Sequence, residues 1–322
     1  MTILVFGSIN MDFVSQVPHL PKVGETVLGH QFFTMAGGKG ANQAVAVARL
    51  GGDCQMVGRV GGDPFGLTLV QQLRDAGVDC DTVRTDATTS SGAAVIEVSA
   101  GGLGSEDQPG DNHIVVIPGA NGQMDDSDIA RLELLLPQAS WLLLQLEVPL
   151  PAVLAAARAA HRRGVSVMLD PAPAQPLPDE LYGYITVLTP NQTEAEQLTG
   201  LTIAEPSDAA AAATWLRRRG VSTVVITLGP QGALYQSATE SSLVPTFTVE
   251  AVDTVAAGDT FNGALAVALS RQQPMRDAIR YGTAAAAIAV TRPGAQGAIP
   301  YESDVESFLS RHTRGQTLDT NL

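Results

Sequence analysis

Two stretches hold residues whose types and spacing suit chemistry on a charged, hydroxylated ligand. In VDTVAAGDTFNG, Val252 to Gly263, Asp253 and Asp259 flank small residues ahead of an apolar, helix-like segment. In AGGKGANQAVAVARLGG, Ala36 to Gly52, three glycines surround Lys39 and Asn42 where a helix begins. Both pair backbone that a ligand can approach closely with the free N–H groups of a helix start. In the first, Phe261, Ala264, Leu265 and Ala268 keep the helical period over Thr260 to Ser270. The amides of Ala256, Ala257 and Gly258 then converge on the positive end of the helix dipole, which holds an anion without any basic side chain. Asp259 reads either as a cap, stabilising that helix by about 1 kcal/mol, or as a carboxylate that reacts beside the anion. The Gly-Lys stretch reads as a ligand loop or as a tight turn. A Walker loop needs Ser or Thr after the lysine, and Gly40 stands there.

The elements that must position these residues follow from the hydrophobic pattern. Short aliphatic runs, TILVFGS, WLLLQLE, VSVMLD, YITVLT and STVVITLG, alternate with helical patterns over Gly40 to Leu50, Pro151 to Arg163 and Ala209 to Arg219. That alternation predicts an α/β fold, a doubly wound and mostly parallel sheet covered by helices on both faces. Ligands bind such sheets at the carboxyl ends of the strands. The polar residues there are Asn10 and Asp12 after TILVFGS, Glu147 after WLLLQL, Asp170 after VSVML, Asn191 after TVLTP, Thr227 and Gly229 after TVVI, and Asp253 after FTVEAV. Two regions, Ser15 to Met35 and Ser90 to Pro118, carry no helical period and read as inserted antiparallel strands. They form a lid over the substrate end or a plain hairpin. The expected division is a body of residues 1–14, 36–89 and 119–313, a small β-sheet lid of 15–35 and 90–118, and a polar, frayed tail of 314–322.

Bulk properties exclude several classes. With 19 Lys and Arg against 33 Asp and Glu, a net charge of -14 and no long basic cluster, the chain lacks the footprint of a nucleic-acid binder. Cys54 and Cys80 are its only cysteines, too few and too isolated for a disulfide framework or zinc site. No window reaches the roughly 20 apolar residues of a membrane span, and TILVFGS is short for a signal peptide. A cytoplasmic small-molecule enzyme is the expectation.

GSINMD at Gly7, GGKGANQAVAVARLG at Gly37 and DTVAAGDTFNGAL at Asp253 together resemble the N-terminal strand and two signature regions of the ribokinase-like (PfkB) carbohydrate kinases. The linking pieces QLE, TPNQTEAE and VITLGPQG occur in the family's order, and the similarity runs from Ile3 to Leu309. The resemblance implies transfer of the γ-phosphoryl of ATP to a sugar hydroxyl, O5 of D-ribose for the best match, with magnesium. Other sugars and nucleosides are the alternatives within the class, and a non-catalytic sugar-binding regulator is the alternative outside it. Carried over by position, Asn10, Asp12, Gly38, Lys39, Gly40, Ala41, Asn42 and Glu147 would hold the sugar, which makes the Gly-Lys stretch a sugar loop. Asp259 would be the general base and touch the sugar, and the amides of Ala256, Ala257 and Gly258 would form the anion hole. Asn191, Thr227, Gly229, Gly232, Gly258 and Thr283 would line the ATP cleft. Glu194 would organise magnesium through water, its other reading being a solvated helix face.

A potassium ion would sit on Asp253 with backbone oxygens of Val255, Ala289, Arg292 and Gly294. Ala298 stands where family members often supply a serine, and Ala256 stands for a usual glycine, a change expected to be tolerated at negative φ. The family also implies a homodimer through the lid sheets, and the 99–112 loop is longer than usual.

Overall fold

In the computed structural model residues 2–100 and 111–316 are described. The chain opens with β1 (Thr2–Phe6), an unbroken apolar run suited to a strand covered on both faces. There follow β2 (Asn10–Val17), β3 (Gln31–Gly37), α1 (Lys39–Arg49), β4 (Asp53–Gly61), α2 (Pro64–Asp75), β5 (Val83–Asp86), β6 (Gly92–Ser99) and β7 (Asn112–Ile117). The central part comprises α3 (Asp126–Leu135), β8 (Ala139–Leu144), α4 (Leu150–Arg162), β9 (Ser166–Leu169), the single turn α5 (Asp179–Tyr182), β10 (Val187–Leu188), α6 (Gln192–Thr199) and α7 (Pro206–Arg218). The last part holds β11 (Thr223–Thr227), β12 (Ala233–Gln236), β13 (Ser241–Val244), α8 (Ala257–Ser270), α9 (Met275–Ala289) and α10 (Glu302–Gln316).

Nine strands form the large sheet in the order β13-β12-β11-β10-β9-β8-β1-β4-β5, all running one way except β12, which is antiparallel to both β11 and β13. Alternation along β1 feeds two cores. Ile3 and Val5 pack with Ala44 and Val47 of α1, Ala264 and Val267 of α8 and Ala284 of α9. Leu4 and Phe6 pack on the other face with Leu132 of α3, Val153 of α4 and Leu216 of α7. The doubly wound expectation therefore holds. Helix α8 is buried at every position from Asp259 to Ala268, more than the one apolar stripe read from its sequence. It is packed by both α1 and α9, so no side faces water.

The second sheet has four strands in the order β3-β2-β6-β7. Its β2–β3 and β6–β7 pairs are antiparallel, and a parallel β2–β6 pair joins them. Strand β2 starts at Asn10, so Asn10 and Asp12 lie inside the small sheet rather than on the loop after β1. Along β7, residues Ile114 to Ile117 are all exposed, as are Val95 and Phe32.

Two local expectations are overturned. FTVEAV, Phe247 to Val252, forms no strand, because beyond β13 the chain leaves the sheet edge, and the amides of Val252 and Asp253 donate to Val290 O instead. Helix α8 begins at Ala257, three residues earlier than Thr260, so Asp259 is inside its first turn and not its cap. At the other end α10 runs to Gln316, while residues 317–322 of the expected tail and residues 101–110 of the long loop lie outside the described residues.

Candidate active site

The order of the large sheet reverses at β1, from which the chain builds β4 and β5 on one side and β8 to β11 on the other. A crevice therefore opens at the carboxyl ends of β1 and β8. Ser8 follows β1, Gln145 and Glu147 follow β8, and the start of α1 is laid across them. Ala41 N–H donates to Ser8 O at 2.8 Å, and Ala41 itself is wholly buried. This close crossing explains two of the glycines. A Cβ on Gly38, which has φ 86, would stand 2.8 Å from Asn10 N, and one on Gly40 would stand 2.6 Å from Ser8 N.

Around the crevice the side chains form one polar cluster. Ser8 Oγ and Lys39 N–H both donate to Glu147 Oε2, at 2.6 and 3.1 Å. Asn121 Nδ2 donates to Asn10 Oδ1 at 2.7 Å, and Asn42 Nδ2 donates to Asp259 Oδ2 at 2.9 Å. Burial, with Glu147 and Asp259 nearby, pushes the Asp12 carboxyl up to about 7. Burial alone would pull Lys39 down, but Asp259, Asp170, Glu147 and Glu194 together hold it above its usual range. Asp12 Oδ1 and Asn42 Oδ1 are buried acceptors without a hydrogen-bond partner. Buried acceptors are ordinarily satisfied, so these two are suited to the O–H donors of a polyhydroxylated ligand.

On the far side of Asp259 lies a cavity of about 430 Å³. Thr227, Gly229, Gly232, Gly258 and Thr283 line it, together with Phe247, which the sequence reading did not single out. Asn191 is not in the lining; it is bridged to Thr227 at the rim, where Thr227 N–H donates to Pro190 O. Ala256, Ala257 and Gly258 are the N-cap and first two helical positions of α8, where N–H groups have no acceptor four residues back. Of these, Ala257 N–H makes a long 3.3 Å contact with Thr254 O. Ala256 has φ 58 and ψ 11, so the expected negative φ is wrong: the turn into α8 needs the left-handed conformation that a glycine adopts freely. Asp259 thus stands where a polar crevice rich in acceptors meets an apolar-walled cavity with a helix N-terminus at its mouth.

This is the arrangement of a kinase that brings a hydroxyl to a nucleotide, and the chain matches the pfkB family carbohydrate kinases over residues 2–302. The protein belongs to the pfkB family. It is 42% identical over 308 residues to the ribokinase of Haemophilus influenzae, covering 96% of this chain and 98% of that one. The crystal structure of a Thermotoga maritima ribokinase superposes with TM-score 0.85 at 38% identity, covering 96% and 99% of the two chains. That of Arabidopsis thaliana ribokinase, complexed with ribose and ATP, superposes with TM-score 0.86 at 33% identity over 95% and 98%.

Of the positions expected from the sequence to hold a potassium ion, Asp253, Val255 and Gly294 are drawn together. Asp253 accepts from Val255 N–H at 2.9 Å and from Gly294 N–H at 2.8 Å, which clasps the loop before α8 to the loop after α9. The carbonyls expected to join it, of Val255, Ala289, Arg292 and Gly294, would add only hard oxygens, suited to a hard cation. Ala298, wholly buried, adds no side-chain oxygen. Glu194 forms a capping box with Asn191: its carboxylate accepts Asn191 N–H and Nδ2, both at 2.8 Å, while Glu194 N–H donates to Asn191 Oδ1. The side chain is half-buried, and burial raises its pKa against the pull of the Asn191 N–H and of Lys39. Among the described residues no three His, Cys, Asp or Glu side chains are grouped to hold a metal. A magnesium ion bound through water and phosphate does not require such a group.

Sequence reasoning missed Ser8, Gln43, Asn121 and Gln145. Three of them sit inside quoted motifs, as the S of GSINMD and the Q of GANQ and of QLE. Asn121 has no such signal, since its partner Asn10 is 111 residues away.

Proposed function

We propose that this kinase transfers the γ-phosphoryl of ATP to O5 of D-ribose, giving D-ribose 5-phosphate and ADP. The observation that carries the proposal is the place of Asp259, buried between the acceptor-rich crevice and the nucleotide cavity. In this reading Asn10, Asp12, Lys39, Asn42 and Glu147 bind the sugar hydroxyls, and Asp259 accepts the proton of the attacking O5. The oxygen then bonds to the γ-phosphorus as its bond to the ADP oxygen breaks. The amides of Ala256, Ala257 and Gly258 stabilise the charge on the transferring group, which is most of what phosphoryl transfer asks of a protein. Magnesium, bound to the nucleotide, would neutralise phosphate charge, with Glu194 orienting its water. Potassium on Asp253 and the surrounding carbonyls would tighten the anion hole.

The small sheet is assigned the role of lid, because it supplies Asn10 and Asp12 from β2 directly to the crevice. Its exposed apolar strand β7 supports a homodimer formed through two such sheets. Among the described residues no helix is long and apolar enough to cross a membrane. A cytoplasmic setting is part of the proposal, supported by the use of ATP and by the free, buried thiols of Cys54 and Cys80.

An ADP-release assay over ribose, 2-deoxyribose, fructose and nucleosides, with potassium or sodium, tests the reading. Ribose should be preferred and potassium should accelerate turnover. Asp259→Asn should keep ribose and ATP binding while lowering kcat by about 100-fold or more. Near-normal turnover by that variant would defeat the assignment of the base.

A further inference from the structure

Gln43 and Asp170 have no role in the reaction as described, yet one amide ties them to Asp259. Gln43 Nε2 donates to Asp170 Oδ2 at 2.9 Å and to Asp259 Oδ1 at 3.2 Å. Gln43 Oε1 accepts from Gln145 Nε2 at 2.7 Å. That last bond fixes which way the amide points: flipped, it would set its oxygen against two carboxylates and its NH2 against another NH2. Gln43 is 1% exposed, Gln145 0%, Asp259 5% and Asp170 6%, so water cannot replace these partners. With Asn42 Nδ2 on Oδ2 and Gln43 Nε2 on Oδ1, each oxygen of Asp259 holds a donor, and the plane of the carboxylate is set.

We propose that Gln43 and Asp170 are a positioning pair for phosphoryl transfer: Asp170 and Gln145 orient the Gln43 amide, and the amide aims the Asp259 carboxylate at the attacking hydroxyl. The inference rests on the reading of Asp259 as the base. Its physical reason is that a proton acceptor works only within hydrogen-bond reach and in line, and small misalignments in such a site cost large factors in rate. Asp259 comes from α8, but the groups that hold its side chain, Asn42 and Gln43, both come from α1, and the residue after β9 holds Gln43 in turn.

The pair stands among several titratable groups around the base. The titratable groups facing Asp259 are Asp12 from β2, Lys39 from α1, Asp170 after β9 and Glu194 from α6. Glu147, after β8, acts on Asp12, Lys39 and Asp170. Burial pushes Asp170 well above its ordinary range, against the pull of Lys39. A carboxyl raised in this way is held neutral, so what Asp170 gives Gln43 is an acceptor oxygen rather than a charge beside the base.

The test is the steady-state kinetics of the full chain with ribose and MgATP. Gln43→Leu should lower kcat about 10- to 100-fold and leave the KM for ATP within about twofold. Asp170→Asn keeps an acceptor for Gln43, whereas Asp170→Leu removes it. Asp170→Asn should therefore hold kcat well above that of Asp170→Leu, and this comparison decides the matter if Gln43→Leu does not fold. A kcat near the parent's in folded Gln43→Leu, or equal kcat in the two folded Asp170 variants, with Asp259→Asn inactive, would overturn the positioning pair alone. Near-normal turnover by Asp259→Asn would overturn the base reading on which the pair depends.

Discussion

Burial beside Glu147 and Asp259 holds the Asp12 carboxyl near 7, far above an exposed aspartate. The folded protein therefore keeps a proton that the unfolded chain loses near pH 4, and ionising Asp12 weakens the fold. By linkage, this contribution lowers stability progressively as pH rises from about 4 to about 7 and adds no further loss above that. Urea unfolding should show that Asp12→Asn gains stability relative to the parent at pH 8 and gains little at pH 4, while the KM for ribose rises. Equal stability differences at the two pH values would show that Asp12 does not titrate in this window. Asp12 was a candidate site residue from its place in GSINMD, but its raised ionisation was not legible there. That depends on burial in the crevice and on two carboxylates brought to it, one after β8 and one on α8.

The entry into α8 illustrates what happens at the scale of an element. The run of small residues correctly signalled a helix start, but the periodicity of the later apolar residues placed it three residues late. Ala256 carries the turn at φ 58, and an alanine there costs about 1 to 2 kcal/mol relative to right-handed backbone. Ala256→Gly removes that strain but loosens the unfolded chain by about 0.4 to 1 kcal/mol. The expected net result is a gain of about 0.5 to 1 kcal/mol in thermal or urea unfolding, with kcat within about twofold of the parent. A loss of stability would refute the strained turn. FTVEAV failed as a strand for a related reason: its residues have strand propensity, but no neighbouring strand beyond β13 offers a ladder, and Phe247 walls the nucleotide cavity instead.

For the whole molecule, the two sheets divide the work. The large sheet has helices on both faces, while the small one exposes β7 along its length and, on β6, Val95, which pairs directly with Val115. Such an apolar edge is a pairing surface unless covered. Light scattering of the purified protein should give the mass of a dimer, and the double substitution Val95→Asp with Val115→Asp should give a monomer. A parent protein that is monomeric at tens of micromolar would remove the lid-to-lid dimer.

The alternation of aliphatic runs and helical patterns was enough to identify the doubly wound sheet, because each strand and helix declares its period locally. The three motif blocks identified the family and most of the residues that crowd the crevice, because backbone turns and helix starts are written in consecutive residues. What only the tertiary structure decided is which partner each of those residues meets. Asn42 and Asp259 are 217 residues apart and Gln43 and Asp170 are 127 apart. They touch because the strand order reverses at β1 and lays α1 across the ends of β1 and β8, a closure that no local period encodes. The left-handed Ala256 and the amide of Gln43 on the Asp259 carboxylate are products of that closure.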